Sequence, residues 1–320
     1  MKRLFGPILG LLLMSWTPSL SWAGSLGVAN DYTEFTFSDS TRINVDSQGQ
    51  VAVGGNATFN NFTVASSINS GNINGDYSLI VNGNLGGSQA VVQGYGDALY
   101  NTKDSGTNLY FNGGGTAHTG TISNFFSDAQ SYLTTLSATL AGTTANGTTS
   151  VNPSGYVTLT GTDTALDVFN LTGAQLAGAQ NQGLAFNVPS SATVVVNIDG
   201  TADTFSSFGI ALNGLSETHI LYNFTQATSL TINNIQIEGT ILAPYATVHF
   251  NGGEINGSII ANSLTSDFSY GSGESHLHLF DGNLPTPAVP EPSSMSLIAI
   301  AGIMTLGPFF RRRKMRRLNG

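Results

Sequence analysis

The 320-residue chain has no cysteine. That excludes disulfides, thiolate nucleophiles, thiolate zinc sites and iron–sulfur clusters. An exported protein of this length does without disulfides when its core suffices. Charge is scarce too, at 9% of residues. Between residues 24 and 288 only Arg42 and Lys103 are basic, against eighteen Asp and Glu, a net of −16 with histidine neutral. A nucleic-acid binder needs a basic stripe to track phosphates, so that class is excluded. The same imbalance suits a soluble extracellular protein and attracts cations. Nor is there a phosphate loop: Gly113-Gly114-Gly115 is followed by no Gly-Lys-Ser/Thr and lies in no βαβ pattern.

What is abundant is Gly, Asn, Ser and Thr, interspersed with short apolar runs. At 40% hydrophobic residues the chain is too apolar for disorder. The pattern predicts many short strands with tight turns. Two internal repeats organise them. Val51-Ala52-Val53-Gly54-Gly55-Asn56 returns as Leu79-Ile80-Val81-Asn82-Gly83-Asn84, 28 residues on. Ser229-Leu230-Thr231-Ile232, Thr247-Val248-His249-Phe250 and Thr265-Ser266-Asp267-Phe268 recur every 18 residues, as do Ile237–Ala243 and Ile255–Ala261. A period of this size with two or three strands is one coil of a β-solenoid. It predicts an inward column of Ile232, Phe250 and Phe268, and a stack of turn glycines at Gly239 and Gly257. Outward it predicts Ser229/Thr247/Thr265 beside Thr231/His249/Asp267.

One helix stands out, over 123–141. Phe125, Ala129, Tyr132, Leu133, Leu136 and Leu140 share a face, with Ser123 as N-cap and Gly142 as left-handed stop. One apolar face implies packing along the side of the strands. Residues 24–48 are expected to begin with a cap over the core's end, and 96–122 to form a flexible excursion. Further strands are predicted at 157–159, 165–169, 184–188, 194–198 and 220–224, with Asp199-Gly200 as a turn.

Both ends of the chain read as address labels. Lys2 and Arg3, the apolar run from Leu4 to Met14, and Ser21-Trp22-Ala23 before Gly24 form a secretory signal peptide over 1–23, cleaved between Ala23 and Gly24. At the other end come Pro290-Glu291-Pro292, an apolar run from Met295 to Phe310, and Arg311-Arg312-Arg313 with further basic residues. The run is 16 residues, short of the ~20 of an untilted span. The arginines hold that end in the cytoplasm. This order resembles the PEP-CTERM sorting signal of Gram-negative bacteria. The resemblance implies an exosortase-type transpeptidase as partner, transient anchoring in the inner membrane through a C-terminal transmembrane helix, and cleavage near Pro290–Pro292. Cell-surface or matrix delivery follows, in association with exopolysaccharide and biofilm. The expected domains are therefore 1–23, 24–288 and 289–320.

The 24–288 body resembles the choice-of-anchor A family of secreted adhesive domains. The carrying residues are Leu26-Gly27-Val28-Ala29-Asn30, Gln50 to Ala57, Gly239 to Val248 and Gly257-Ser258-Ile259-Ile260-Ala261. The resemblance implies a right-handed parallel β-solenoid with one long helix packed alongside, similar in outline to bacterial ice-binding proteins. It brings no catalytic residue and no cofactor.

Three constellations invite chemistry. Glu274, His276 and His278 alternate, so on a strand they share a face and are the candidate metal ligands, weighed against a polar outer face. Asn197 to Asp203 is similar to a calcium loop without its closing Glu, and an Asp-Gly turn accounts for it. Asp163 and Asp167 are a carboxylate pair of the kind glycosidases use. The reading preferred is a non-enzymatic surface or matrix protein binding polysaccharide or another surface through a solenoid face. A polysaccharide-active enzyme is the alternative. Ice binding ranks last, because Asp267 and His249 break the threonine array that it needs.

Overall fold

The computed structural model describes residues 26–266 and 271–286. These residues form a mainly β, three-walled parallel solenoid, with two α-helices and two short 3-10 helices. Most coils contribute one short strand to each wall. Wall A stacks 166–172, 193–199, 220–224, 240–243, 259–261, 34–36, 50–53, 79–81, 98–100 and 117–119. Wall B stacks 202–206, 229–233, 247–251, 263–265, 40–42, 57–59 and 85–87. Wall C holds 235–238, 253–256, 274–276, 45–47, 62–64, 89–92 and 108–111. A separate sheet joins Val157–Thr160, Leu184–Asn187 and Ile210–Ala211 in parallel, with Thr148–Val151 antiparallel at its edge.

Alternation along each strand sends one set of side chains inward. The interior is filled by such residues as Phe59, Phe62, Phe205, Tyr222, Phe224 and Phe250, each fully buried. At roughly 1.5–3 kcal/mol per large apolar side chain, this burial is the main favourable term. The corner between walls B and C has its own rule. Seven successive coils turn there through a residue with positive φ: Ser207, Asn234, Gly252, Gly271, Asn44, Asn61 and Gly87, between +46° and +96°. Gly and Asn enter this left-handed region at least cost, which explains their abundance.

The coils are not stacked in chain order. The chain enters in the middle of the rod. Its first strand, Tyr32–Thr36, pairs with the late strand Ile259–Thr265 on one side and with Gln50–Val53 on the other. The chain then builds coils outward to 117–119. Next, α1 (Phe125–Gly142) carries it back along wall A. It begins again at the far end with 157–172 and builds inward until Glu274–His276 meets Ser40–Ser47. At this seam the body's one arginine points inward. Arg42 Nη2 lies 3.0 Å from Glu34 Oε1, and both residues are buried. Ser275 donates to the same Glu34 oxygen at 2.8 Å, Arg42 also donates to Ser266 and to the Gly273 carbonyl, and its guanidinium stacks against Phe62 and Phe250.

Along wall A the outward residues Leu242, Ile260, Phe35, Ala52 and Ile80 stand in line on neighbouring strands. α1 covers them with Phe126, Ala129, Leu133, Leu136 and Leu140. The predicted helical face is therefore the packed face. Its caps differ from the expectation: the N-cap is Asn124, not Ser123, and Gly142 is the last helical residue, followed by an extended Thr143.

Other expectations need correction. The opening segment does not cap an end; Gly27–Asp31 forms a 3-10 helix against α1 in mid-rod. Residues 96–122 are no excursion but the terminal coil, with strands Asp97–Lys103, Asn108–Phe111 and Ala117–Thr119. The 28-residue repeat holds, with Val51 opposite Leu79 and Gly83 N–H bonded to Gly55 O at 2.9 Å. The 18-residue repeat holds from 229 to 261 and then slips by two. Thr247 pairs with Ser263 and His249 with Thr265, because Ala261 reaches the next wall through Asn262 alone where Ala243 uses Pro244-Tyr245-Ala246. The signal helix, the C-terminal transmembrane helix, Ala23, Gly24, Pro290–Pro292, Arg311–Arg313, Asp267 and Phe268 lie outside the described residues.

Candidate binding face

Wall A is occupied by α1 and by residues 277–286, which place Phe280 in the same apolar cluster. Among the described residues, α2 (Gly173–Gly178) lies against the end strand 202–206 of wall B, no other helix packs on this wall, and its outward side chains are mostly half-buried or exposed. The corrected register lines up Thr204, Thr231, His249, Thr265, Thr41 and Thr58 across six neighbouring strands. Beside them run Ala202, Ser229, Thr247 and Ser263, with Ser263 Oγ donating to Thr247 Oγ1 at 2.9 Å. Farther along are Asn233 and Asn251, where Asn251 Nδ2 donates a hydrogen bond to Asn233 Oδ1 at 3.2 Å. At the wall A–B corner Asp39 accepts from Asn56 N–H, and Asn56 Oδ1 accepts from Asn84 N–H. Parallel strands are ~4.8 Å apart, so the wall is a regularly spaced grid of hydroxyls and amides. Tyr245, half exposed, sits at its corner. A grid of small donors and acceptors offers many weak hydrogen bonds to an extended polar surface.

Wall C is the acidic side. Gln236, Glu254 and Glu274 align on successive strands, with Glu238, Asn256 and His276 as the next column. His276 lies 3.2 Å from Glu274 and 3.7 Å from Glu254, and its Nδ1 lies 2.8 Å from Asn256 Oδ1. Of the three candidate metal ligands, then, only Glu274 and His276 come together. The strand ends at His276, and His278 turns away to Glu217, 2.7 Å from it. Among the described residues no group of three or more His, Asp or Glu is placed to hold a metal.

Asp163 N–H donates to Asp167 Oδ1 at 3.2 Å, and burial is the main cause that raises the pKa of Asp167. Asp203 faces inward from wall B, and neither of its oxygens has a hydrogen-bond partner. Burial, with Asp199 nearby, pushes its pKa up to about 6. Gly173 and Gly200 make room for its carboxyl, since a Cβ at either position would meet Asp203 Oδ1 within 2.1 Å. Asp199 and Gly200 form the turn expected of them. The residues that sequence reading missed are Thr204, Thr41 and Thr58. They lie outside the 18-residue repeat, and only the seam brings 41 and 58 beside 265.

Comparison with protein families gives two matches. Residues 25–277 match the family described as "Putative Ice-binding-like adhesive domain", and residues 288–314 match the PEP-CTERM protein-sorting motif. No curated protein matches. Among solved structures, an ice-binding protein from the Antarctic ascomycete Antarctomyces psychrotrophicus is 12% identical with a TM-score of 0.30, covering 80% of this chain and 98% of that one. An ice-binding protein from an Antarctic biological consortium is 16% identical, TM-score 0.33, covering 84% and 94%. One from an Antarctic Flavobacteriaceae bacterium is 11% identical, TM-score 0.32, covering 76% and 75%.

Proposed function

Because the chain belongs to the ice-binding-like adhesive domain family and carries a PEP-CTERM motif at its C-terminus, we propose that it is an exported, non-enzymatic surface protein that adheres through wall B. The PEP-CTERM motif implies C-terminal sorting by an exosortase. In this reading the signal peptide leaves between Ala23 and Gly24 and the tail is cut near Pro290–Pro292. The body then reaches the cell surface or matrix as a choice-of-anchor A type adhesin, with polysaccharide as its ligand class. The observation that carries the reading is the uncovered grid of Ser, Thr and Asn on wall B beside a wall A sealed by α1. An acidic rod avoids non-specific contact with anionic polymers, so a polar, nearly uncharged wall is where a neutral glycan is held.

Glycan-array binding tests this, with Thr231→Tyr and Thr41→Tyr as variants that roughen the wall. Binding lost in both, with the thermal midpoint unchanged, supports the reading. Turnover of a polysaccharide that depends on Asp163 or Asp167 overturns it. Fractionation of cells with and without the sorting enzyme tests the destination.

Ice binding is a second reading, and one observation favours it: five of the six aligned positions are threonine, and His249 alone interrupts them. Thermal hysteresis that grows in His249→Thr and vanishes in Thr231→Tyr would raise it above the first.

A further inference from the structure

The two ends of the rod are finished differently. At one end the outer edge of Leu166–Thr172 is dressed by residues 146–149. Asn146 donates to Leu166 O at 2.9 Å and accepts from Val168 N–H at 2.7 Å, Gly147 N–H reaches Val168 O at 3.1 Å, and Thr149 Oγ1 reaches Asn170 O at 2.8 Å. The adjacent edge of Val157–Thr160 is paired by Thr148–Val151. The other end has no such dressing among the described residues. Ala117–Thr119 pairs only with Asp97–Lys103, and Asn108–Phe111 only with Gln89–Val92.

The ladder fixes which groups are bare. Thr116 O accepts from Ala98 N–H, and Gly120 N–H donates to Tyr100 O. Alternation then turns the N–H and C=O of Ala117 and Thr119 away from the rod. By the same count, from Asn108 N–H on Ser88 O and Asn112 N–H on Val92 O, the peptide groups of Leu109 and Phe111 point outward. An open parallel edge is a template for another strand.

This chain's own ends do not reach it. On the proposed processing, residues 24–25 add about 7 Å before Leu26, whereas the open end is four strand spacings, about 19 Å, from Tyr32–Thr36. At the C-terminus Asn283 N–H is bonded to Thr193 Oγ1, eight spacings or about 38 Å away, and residues 284–290 span at most about 24 Å.

Charge identifies the occupant. Residues 93–122 carry only Asp97, Asp104, Lys103 and His118, with His118 2.8 Å from Asp97. This coil is therefore −1 or neutral on a body of −16, so it is a place where two copies approach with little repulsion. We propose that the end formed by Asn108–Phe111 and Ala117–Thr119 joins the same end of a second copy, edge to edge about a two-fold axis. The result is a double-length rod with dressed ends outermost and two wall B surfaces.

Sedimentation equilibrium of the processed protein tests this. The expected result is a mass that doubles as concentration rises through the micromolar range. Ala117→Pro/Thr119→Pro removes two outward donors and no ladder bond. Thr119→Arg keeps the backbone and adds like charge across the axis. Both are expected to weaken association at least about tenfold with the thermal midpoint retained. A wild-type protein that stays monomeric over that range overturns the proposal, as does a dimer that Thr119→Arg, folded with an unchanged midpoint, leaves as tight as before.

Discussion

Ser137 and Asn223, 86 positions apart, exchange two hydrogen bonds: Ser137 Oγ donates to Asn223 Oδ1 at 2.6 Å, and Asn223 Nδ2 donates to Ser137 O at 3.0 Å. Asn223 also donates to Asn197 Oδ1, and Asn197 donates to Leu140 O at the end of the helix. Apolar burial pins α1 to wall A, and this amide ladder sets its register along the wall. Asn223→Ala strips several buried partners at once and is expected to cost about 2–3 kcal/mol, against about 1 kcal/mol for Ser137→Ala. Urea unfolding of the two single variants and the double variant measures both costs and their coupling.

The seam pair gives a sharper contrast. Removing one partner, as in Glu34→Ala, leaves Arg42 charged in an apolar interior, at an expected cost of about 3–5 kcal/mol. Replacing both, as in Glu34→Leu/Arg42→Met, is expected to cost much less than either single change, because no uncompensated charge is left. Guanidinium midpoints of the three variants test this order.

Asp203 makes stability depend on pH. Its folded pKa, about 6, lies above the ordinary value of 3.8, so the folded chain holds the proton more tightly than the unfolded chain. The stabilisation is complete below about pH 4 and is lost as pH rises toward and past 6. Asp203→Asn mimics the protonated form. It is expected to gain about 1–3 kcal/mol at pH 7.5 and nothing at pH 4, read from thermal or urea unfolding at the two values.

The corner between walls B and C separates backbone from side chain. Asn234 has φ +46°. Asn234→Gly is expected to be near neutral and Asn234→Ala to cost about 1 kcal/mol, because alanine has neither glycine's freedom nor asparagine's local hydrogen bonding. At the turn between walls C and A, Gly257→Ala is expected to cost more than either, since its Cβ would lie 2.2 Å from Gly239 O. Differential scanning calorimetry ranks the three.

The parts of this fold visible in the sequence are those where one coil repeats the next with constant spacing. Val51 over Leu79 and Ile237 over Ile255 stack as their repeats imply. Phe125 to Leu140 show the helical period because one face packs against a flat wall. The seam was not visible. No period relates Phe35 to Ile260, which are neighbours across it, because coils built from opposite ends of the chain have no reason to resemble each other. The two-residue slip after Ala261 was hidden for a related reason. A shortened corner leaves each strand's alternation intact and changes only what it lies beside, so the 18-residue period puts Asp267 as well as His249 in the threonine file. Of the three metal candidates, alternation places Glu274 and His276 together, but the strand stops before His278.

The mid-rod entry of the chain has a consequence for the order of assembly. A polypeptide threaded outward from its N-terminus delivers one half of the rod early, with the edge of Tyr32–Thr36 still bare. The strand that covers it, Ile259–Thr265, and the strand that meets Ser40–Ser47, Glu274–His276, come almost last. The molecule therefore closes like a clasp, its final stitch set only a dozen or so residues before Pro290. Any chain cut short ahead of that stitch is left with two raw edges facing each other.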